Sequence, residues 1–357
     1  MTKPKTILVT GASGYIAKHI VLQLLAEGYH VRASLRSIKR AGEVRDAVRQ
    51  HLAKGVNLDK QLDFVELDLE KDAGWDSALK GVDALLHTAS PFPMIQPSDP
   101  QDLVRPAVEG TLRALRAAKA AGVGRVVLTS SGAAVTNREP PADRPFDERD
   151  WSQPGYKTLT PYSRSKLEAE LAAWAFVKDE APAMRLTVIN PNLVVGKPLD
   201  AYYGTSLAVI ERLMRGKDPM LPDIGFNCVD VADIAKMHVL ALSKPKSEGL
   251  RLIGSNGFFS FRDIALLLAK QFPHRRIPTR VAPHFLIRLL GMFDKAIASI
   301  IPSLGRKESI SGALAGRVLG MTFRDPAQSI SEAAQFMADN AIVQDAGKPL
   351  VVSRPRR

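Results

Sequence analysis

The strongest constraint on this chain lies near its start, where a short apolar run, Thr6–Thr10, leads straight into Thr10-Gly11-Ala12-Ser13-Gly14-Tyr15-Ile16-Ala17 and opens a helical stretch. A glycine turn in that setting has a definite job. Gly11 permits the tight turn, Gly14 lets backbone approach a pyrophosphate, and Ala17 is small enough for the helix to lie close on the strand. The helix N-terminus then offers unpaired N–H groups and positive partial charge to phosphate oxygens. The turn therefore predicts a bound dinucleotide held at Gly11, Ser13, Gly14, Tyr15 and Ile16.

The rest of the first half supports that frame. Apolar runs of strand length at Thr6–Thr10, His30–Leu35, Asp63–Leu67, Ala84–Thr88, Arg125–Ser130 and Leu186–Asn190 alternate with helical stretches at Tyr15–Glu27, Ser37–Leu52, Asp102–Ala121 and Pro161–Val177. Repeated strand–helix alternation is the pattern of a parallel sheet covered on both faces. After Asn190 the alternation loosens. Pro191–Gly225 is rich in Pro and Gly, Cys228–Leu242 reads as the approach to a helix and the helix itself, Leu250–Ile253 as one more strand, and Phe261–Ala341 as mainly helical. These features predict a nucleotide domain over 1–190, with 226–255 returning to it. A substrate domain is expected over 191–225 and 256–345, and a basic mobile tail over 346–357.

The second strand decides which dinucleotide fits. NAD-selective sites place a carboxylate there, about 20 residues past the glycine turn, to accept from the ribose 2′-hydroxyl. Here Ser34 occupies that place, and no Asp or Glu lies between Glu27 and Glu43. Arg36 ends the strand instead, followed by Lys39 and Arg40, which suits a 2′-phosphate and predicts NADP(H). Other strand ends fall where the cofactor would lie: Asp68 and Leu69 at the adenine, and Thr88, Ala89 and Ser90 near the nicotinamide ribose. Thr129 at the fifth strand end joins them. His87, in the same stretch, reads as a buried, hydrogen-bonded histidine.

Composition excludes several other readings. With Lys+Arg 49 against Asp+Glu 37 the chain carries +12 formal charges, but these are scattered, so a solvated basic surface with an anionic cofactor is expected and no nucleic acid partner. The single cysteine, Cys228, rules out internal disulfides and multi-cysteine metal sites, and reads as a packing residue. No apolar run approaches the ~18 residues of a spanning helix. A cytoplasmic chain, monomeric or homodimeric, is expected.

Tyr162-Ser163-Arg164-Ser165-Lys166 places a tyrosine and a lysine four apart, and Thr160-Pro161 supplies an N-cap and first position, so both fall on one helix face. A lysine ammonium near the phenol is expected to lower its pKa toward neutrality and make it a general acid–base. Thr129-Ser130-Ser131-Gly132 ends the fifth strand on the same rim as the glycine turn, and Ser131 is the hydroxyl chosen to orient a substrate carbonyl.

With these motifs in place, the chain resembles an extended short-chain dehydrogenase/reductase of the epimerase/dehydratase superfamily. Within it, VTGASGYIA, GYHVRASLR, ELDL, HTASPFP, VVLTSSGAAV, PYSRSK, INPNLVVG and CVDVADIAKMHVLAL are similar to the dihydroflavonol 4-reductase, cinnamoyl-CoA reductase and aldehyde reductase group. The resemblance implies a Rossmann-type, doubly wound α/β fold with a smaller, mostly helical C-terminal substrate domain. It implies a catalytic triad of Ser131, Tyr162 and Lys166, with Arg36 on the 2′-phosphate, Asp68 and Leu69 on the adenine, and Pro191, Leu193 and Val194 packing on nicotinamide. The implied activity is NADPH-dependent reduction of an aldehyde or ketone. Two other functions share the frame: a nucleotide-sugar epimerase or dehydratase with tightly held NAD, and a non-catalytic NADP-binding regulator. The basic second-strand end and HTASPFP argue against the first, and the joint presence of Ser131, Tyr162 and Lys166 against the second. Ile277–Ile301 is amphipathic with basic flanks, and is expected to cover the substrate pocket or touch a membrane surface.

Overall fold

The structure, a computed structural model, describes residues 5–90 and 99–343. Its strands, in chain order, are β1 (Thr6–Thr10), β2 (His30–Leu35), β3 (Leu62–Glu66), β4 (Ala84–His87), β5 (Arg125–Thr129), β6 (Arg185–Pro191), β7 (Leu193–Val195), β8 (Gly225–Asp230), β9 (Arg251–Gly254) and β10 (Phe258–Ser260). Seven of them form one sheet in the order β3-β2-β1-β4-β5-β6-β9, with every pairing parallel. That order, reversing direction between β1 and β4, is the doubly wound arrangement predicted above.

Each parallel strand requires a crossover, and helices supply them: α1 (Tyr15–Ala26), α2 (Ala41–Arg49), α3 (Leu58–Gln61), α4 (Trp75–Leu79), α5 (Gln101–Ala120) and α6 (Pro161–Asp179). Further along come α7 (Ala208–Arg215), α8 (Val231–Ser243), α9 (Phe261–Gln271), α10 (His284–Gly291), α11 (Lys295–Ile300), α12 (Ala313–Leu319) and α13 (Pro326–Asp339). Strand periodicity sorts the core into two faces. Ile7, Val9, Leu86 and Val127 point toward Ile20, Val21 and Leu24 of α1 and Ile234 of α8. Their neighbours Leu8, Leu85, Val126 and Leu128 point the other way, toward Ala114, Leu115 and Ala118 of α5 and Phe176 of α6. Strands buried on both faces read as continuous apolar runs, which is why the sequence exposes them so clearly.

The departures are local. Ser37–Leu52, expected as one helix, divides into a 3₁₀ turn at Ile38–Arg40 and α2. Cys228 begins no helix. It lies in β8, which pairs with β7 and β10 in a separate three-stranded sheet, and α8 starts only at Val231. The strand stops there because the Asp230 carboxylate accepts the Ala232 N–H at 2.7 Å and caps the helix. The loosened stretch 191–225 holds β7 and α7. Pro91, Phe92 and Pro93 of the HTASPFP motif and the 346–357 tail lie outside the described residues.

Candidate active site

The first wall of the site is the glycine turn. Gly11 has φ +66°, and a Cβ there would lie 3.0 Å from both Cα and Cβ of Ala89, so the β1 turn and the end of β4 touch only because residue 11 is glycine. Ser34 braces the same turn: its Oγ accepts the Gly11 N–H at 3.3 Å and its carbonyl accepts the Ala12 N–H at 2.9 Å. The residue standing where an NAD-selective carboxylate would sit is thus buried structure. Thr10 Oγ1 accepts the N–H groups of Thr88 and Ala89, each at 3.1 Å, and lies 2.9 Å from His87 Nδ1. With two bonds already accepted, its proton goes to Nδ1, leaving the His87 proton on a buried Nε2 without a partner among the described residues. Burial, with Lys166 nearby, lowers the His87 pKa to about 3. His87 is the neutral, hydrogen-bonded core residue expected from its sequence setting.

Gly11, Gly14, Tyr15, Ile16, Thr88 and Thr129 line one cavity of about 370 Å³, together with Ala17. Its other wall is Tyr203-Gly204-Thr205-Ser206, which the sequence reading missed. The signal was a glycine followed by two hydroxyl residues beyond β7, too common a combination to single out. Two contacts tie the chain leading into this segment to α1. Tyr15 donates from its hydroxyl to the Gly196 carbonyl at 2.7 Å, and the Lys18 ammonium, 2% exposed, reaches Asp200 at 2.5 Å, Glu43 at 2.6 Å and the Tyr202 carbonyl at 3.3 Å.

Ser13, Arg36, Lys39, Asp68, Leu69, Ala89, Ser90, Ser131, Tyr162, Lys166, Pro191, Leu193 and Val194 are not among the residues lining this cavity. Arg36 and Lys39 are exposed past β2, and no ion pair holds them among the described residues, whereas Arg40 is taken by Glu43 at 2.8 Å. Asp68, just past β3, is held below the usual carboxylate range first by the Glu70 N–H, with Lys71 and Arg36 adding to the effect. Leu69 is pinned against α5, where a Cβ on Gly110 would come within 3.2 Å of its own Cβ. Pro191 and Val194 are buried in β6 and β7, and Leu193 is half-buried. The Thr129 hydroxyl donates to His238 Nε2 at 2.7 Å, because His238 Nδ1 is committed to the Ile234 carbonyl.

A second cluster forms on α6 and the end of β5. Thr160 caps α6 by accepting the Ser163 N–H at 3.1 Å, with Pro161 in the first turn, as predicted. Tyr162, Lys166 and Glu170 then follow at four-residue spacing along one ridge. Ser131 hydrogen-bonds the Tyr162 hydroxyl. Its Oγ also accepts the Ala133 N–H at 3.1 Å, and its carbonyl accepts from Asn190 Nδ2 at 3.2 Å. Lys166 is buried, with Nζ 5.9 Å from the Tyr162 ring centre.

The expected electrostatics need correction here. Burial raises the Tyr162 pKa, and the opposing influence is the Ser131 hydrogen bond, not Lys166. Lys166 itself is lowered to about 8, chiefly by burial and against the pull of Glu170. In a site this dry the desolvation of a phenolate outweighs the help of a lysine whose own charge is costly to keep.

Beneath this ridge lies a buried polar network that sequence reasoning also missed. Glu170 accepts from Ser130 at 2.5 Å, Asn190 Nδ2 at 2.7 Å and Arg251 Nε at 2.5 Å. Arg251 stacks 3.5 Å from the Trp151 ring centre and donates to the Asp150 carbonyl at 2.7 Å. The network pins the ends of β5 and β6 to α6, and with them the backbone carrying Ser131.

A glycine cradle at the sheet's switch point, exposed cations where a 2′-phosphate would lie and no carboxylate on β2 fit an anionic dinucleotide with that phosphate. Fold and site together define an extended short-chain dehydrogenase/reductase. The chain matches the NAD dependent epimerase/dehydratase family over residues 7–252, and it belongs to that family. It is 35% identical over 281 residues to cinnamoyl-CoA reductase 1 of Arabidopsis thaliana, covering 77% of each chain. It is 34% identical over 291 residues to a putative NADPH-dependent methylglyoxal reductase, GRP2, of Candida albicans, covering 76% of this chain and 84% of that one. Among solved structures, yeast methylglyoxal/isovaleraldehyde reductase Gre2 complexed with NADPH superposes with a TM-score of 0.77 at 29% identity, over 95% of this chain and all of that one.

Proposed function

We propose that this protein is an NADP(H)-dependent oxidoreductase that reduces an aldehyde or ketone carbonyl. The observation carrying the reading is the Ser131–Tyr162 hydrogen bond beside a buried Lys166, on the rim that holds the glycine cradle. The likeness to relatives named as a methylglyoxal reductase and a cinnamoyl-CoA reductase supports it.

Gly11, Ser13, Gly14, Tyr15 and Ile16 would hold the pyrophosphate side of the cofactor, Arg36 and Lys39 the 2′-phosphate, Asp68 and Leu69 the adenine. Thr88, Ala89, Ser90, Thr129, Pro191, Leu193 and Val194 would border the ribose and nicotinamide. When bound, NADPH supplies the hydride that reduces the carbonyl carbon. Ser131 holds the carbonyl oxygen by a hydrogen bond and fixes its approach to Tyr162. As negative charge develops on that oxygen, the Tyr162 hydroxyl donates its proton to it. A raised pKa keeps this hydroxyl protonated at neutral pH, the form that reduction consumes. Lys166 would bind the cofactor's ribose hydroxyls and stabilise the phenolate left after proton transfer.

Two substitutions test the reading in a coupled assay of NADPH oxidation against aromatic and aliphatic aldehydes and ketones. Tyr162→Phe removes the general acid and lowers kcat by about 10²–10⁴-fold with little change in NADPH binding. Full activity in that variant refutes the mechanism. Arg36→Asp removes a charge-assisted contact of about 1.5–3 kcal/mol, which raises the Kd for NADPH roughly ten- to a hundredfold and leaves that for NADH within a few fold. An unchanged preference for NADPH refutes the cofactor assignment.

A further inference from the structure

The described residues expose nine large hydrophobic side chains, and five of them, Phe285, Leu289, Leu290, Met292 and Phe293, fall in α10 and the two residues after it. Phe285 is 73% exposed, Met292 75% and Phe293 84%. Phe285, Leu289 and Met292 are spaced i, i+4, i+7, a single helical stripe, and the exposed Arg288 lies on the same face. The opposite side of α10 is already occupied. Ile287 is buried, and Gly291 brings the helix against Ala298 and Ile301, where an added Cβ would sit 2.6 Å from Ile301 Cδ1. Packing against α11 thus fixes the apolar stripe outward.

Charge indicates what covers it. Arg288 lies within the stripe, and Arg276 and Arg280 are exposed on the segment leading into α10. Two carboxylates adjoin α10: Asp223 lies 3.0 Å from His284 Nε2 at its first residue, and Asp294 accepts the Ile297 N–H at 3.3 Å at the start of α11, with Arg212 within electrostatic reach. A second copy would bring another +12 molecule, with its own Arg288, against this face. An anionic bilayer offers what both halves of the patch require: acyl chains for Phe285, Met292 and Phe293, and headgroup phosphates for the arginines. We propose that α10 is an interfacial anchor by which the protein docks reversibly on anionic lipid surfaces. One short apolar face gives weak binding that depends on the electrostatic share, so high salt releases it.

The test is flotation of the purified full-length chain with vesicles of phosphatidylcholine alone or mixed with phosphatidylglycerol. Association with the mixed vesicles, lost in high salt and absent with phosphatidylcholine alone, is expected. The triple variant Phe285→Ser, Met292→Ser, Phe293→Ser should bind these vesicles at least about tenfold more weakly while keeping NADPH binding and its melting temperature, because the three side chains are exposed in the fold. Arg288→Glu changes two charges at about fivefold each and should weaken binding roughly 25-fold. No flotation of the wild-type chain, or equal flotation of wild type and triple variant, overturns the proposal. So does a wild-type dimer that the triple variant dissociates and that ignores vesicles, which would assign the face to a second copy. The readout involves no turnover, so its failure is distinct from failure of the reductase reading.

Discussion

Glu170, bonded to Ser130, Asn190 and Arg251, shows how a residue beneath the proposed proton-transfer site can tune it. It is fully buried, it lies one helical turn beyond Lys166, and it acts to raise the lysine's pKa against the burial that lowers it to about 8. Reduction that depends on the charged lysine should hold steady through neutral pH and decline as pH rises through about 8, where Lys166 loses its proton. Glu170→Gln keeps the shape and removes the charge, so this alkaline decline should move to lower pH. A pH profile of kcat/KM for both proteins checks it, and an unmoved decline would mean that Glu170 only packs. The sequence made Tyr162 and Lys166 legible because helix geometry alone puts residues four apart on one face. Glu170 continues that spacing, yet its partners Ser130, just past β5, Asn190 of β6 and Arg251 of β9 meet only in the folded sheet.

At the scale of elements, the reading from sequence succeeded where packing leaves a long periodic trace. β1 and β2 end at the predicted residues, and α6 begins at the predicted Pro161, because apolar runs and a capping threonine are local signals. It failed at β7, β8 and β10. Strands of three residues carry too little periodicity, and Cys228 belongs to β8 through pairing with Leu193, thirty-five positions earlier. The segment walling the cavity at the glycine turn escaped for a related reason. The chain leading into it is held by Lys18, whose role rests on Glu43 and Asp200 arriving from two different connections. Replacing Lys18 with methionine leaves Asp200 without its cation and Glu43 with Arg40 alone, and should cost about 1–3 kcal/mol of stability. It should also raise the KM for NADPH more than it lowers kcat, since the loop ending in Tyr203–Ser206 loses its tether. Urea denaturation and steady-state kinetics measure the two effects, and a variant matching wild type in both would show the buried contact to be idle.

For the molecule as a whole, three buried histidines set the acid limit. Burial lowers His19 and His87 to about 3 and His238 to about 4, all well below the ordinary histidine value. The folded state therefore binds fewer protons than the unfolded chain, so the stability these groups allow is fully present above pH ~6.5 and is lost as pH falls toward their folded values. Where all three differ, near pH 5, the loss approaches about 4 kcal/mol per pH unit. Denaturant midpoints between pH 7 and pH 4 should fall steeply, and His238→Gln, which removes one of the three titrations, should flatten the slope by about one proton.

The single cysteine completes this picture. Cys228 is buried in β8, with its thiol pushed up to about 12 by desolvation. The native chain is consequently almost inert toward maleimides and iodoacetamides, which react with thiolates. A cysteine introduced anywhere on the surface would be the sole attachment point for a fluorophore or spin label, with no background to remove first. Distances and motions in this enzyme thus become open to spectroscopy through one substitution at a time.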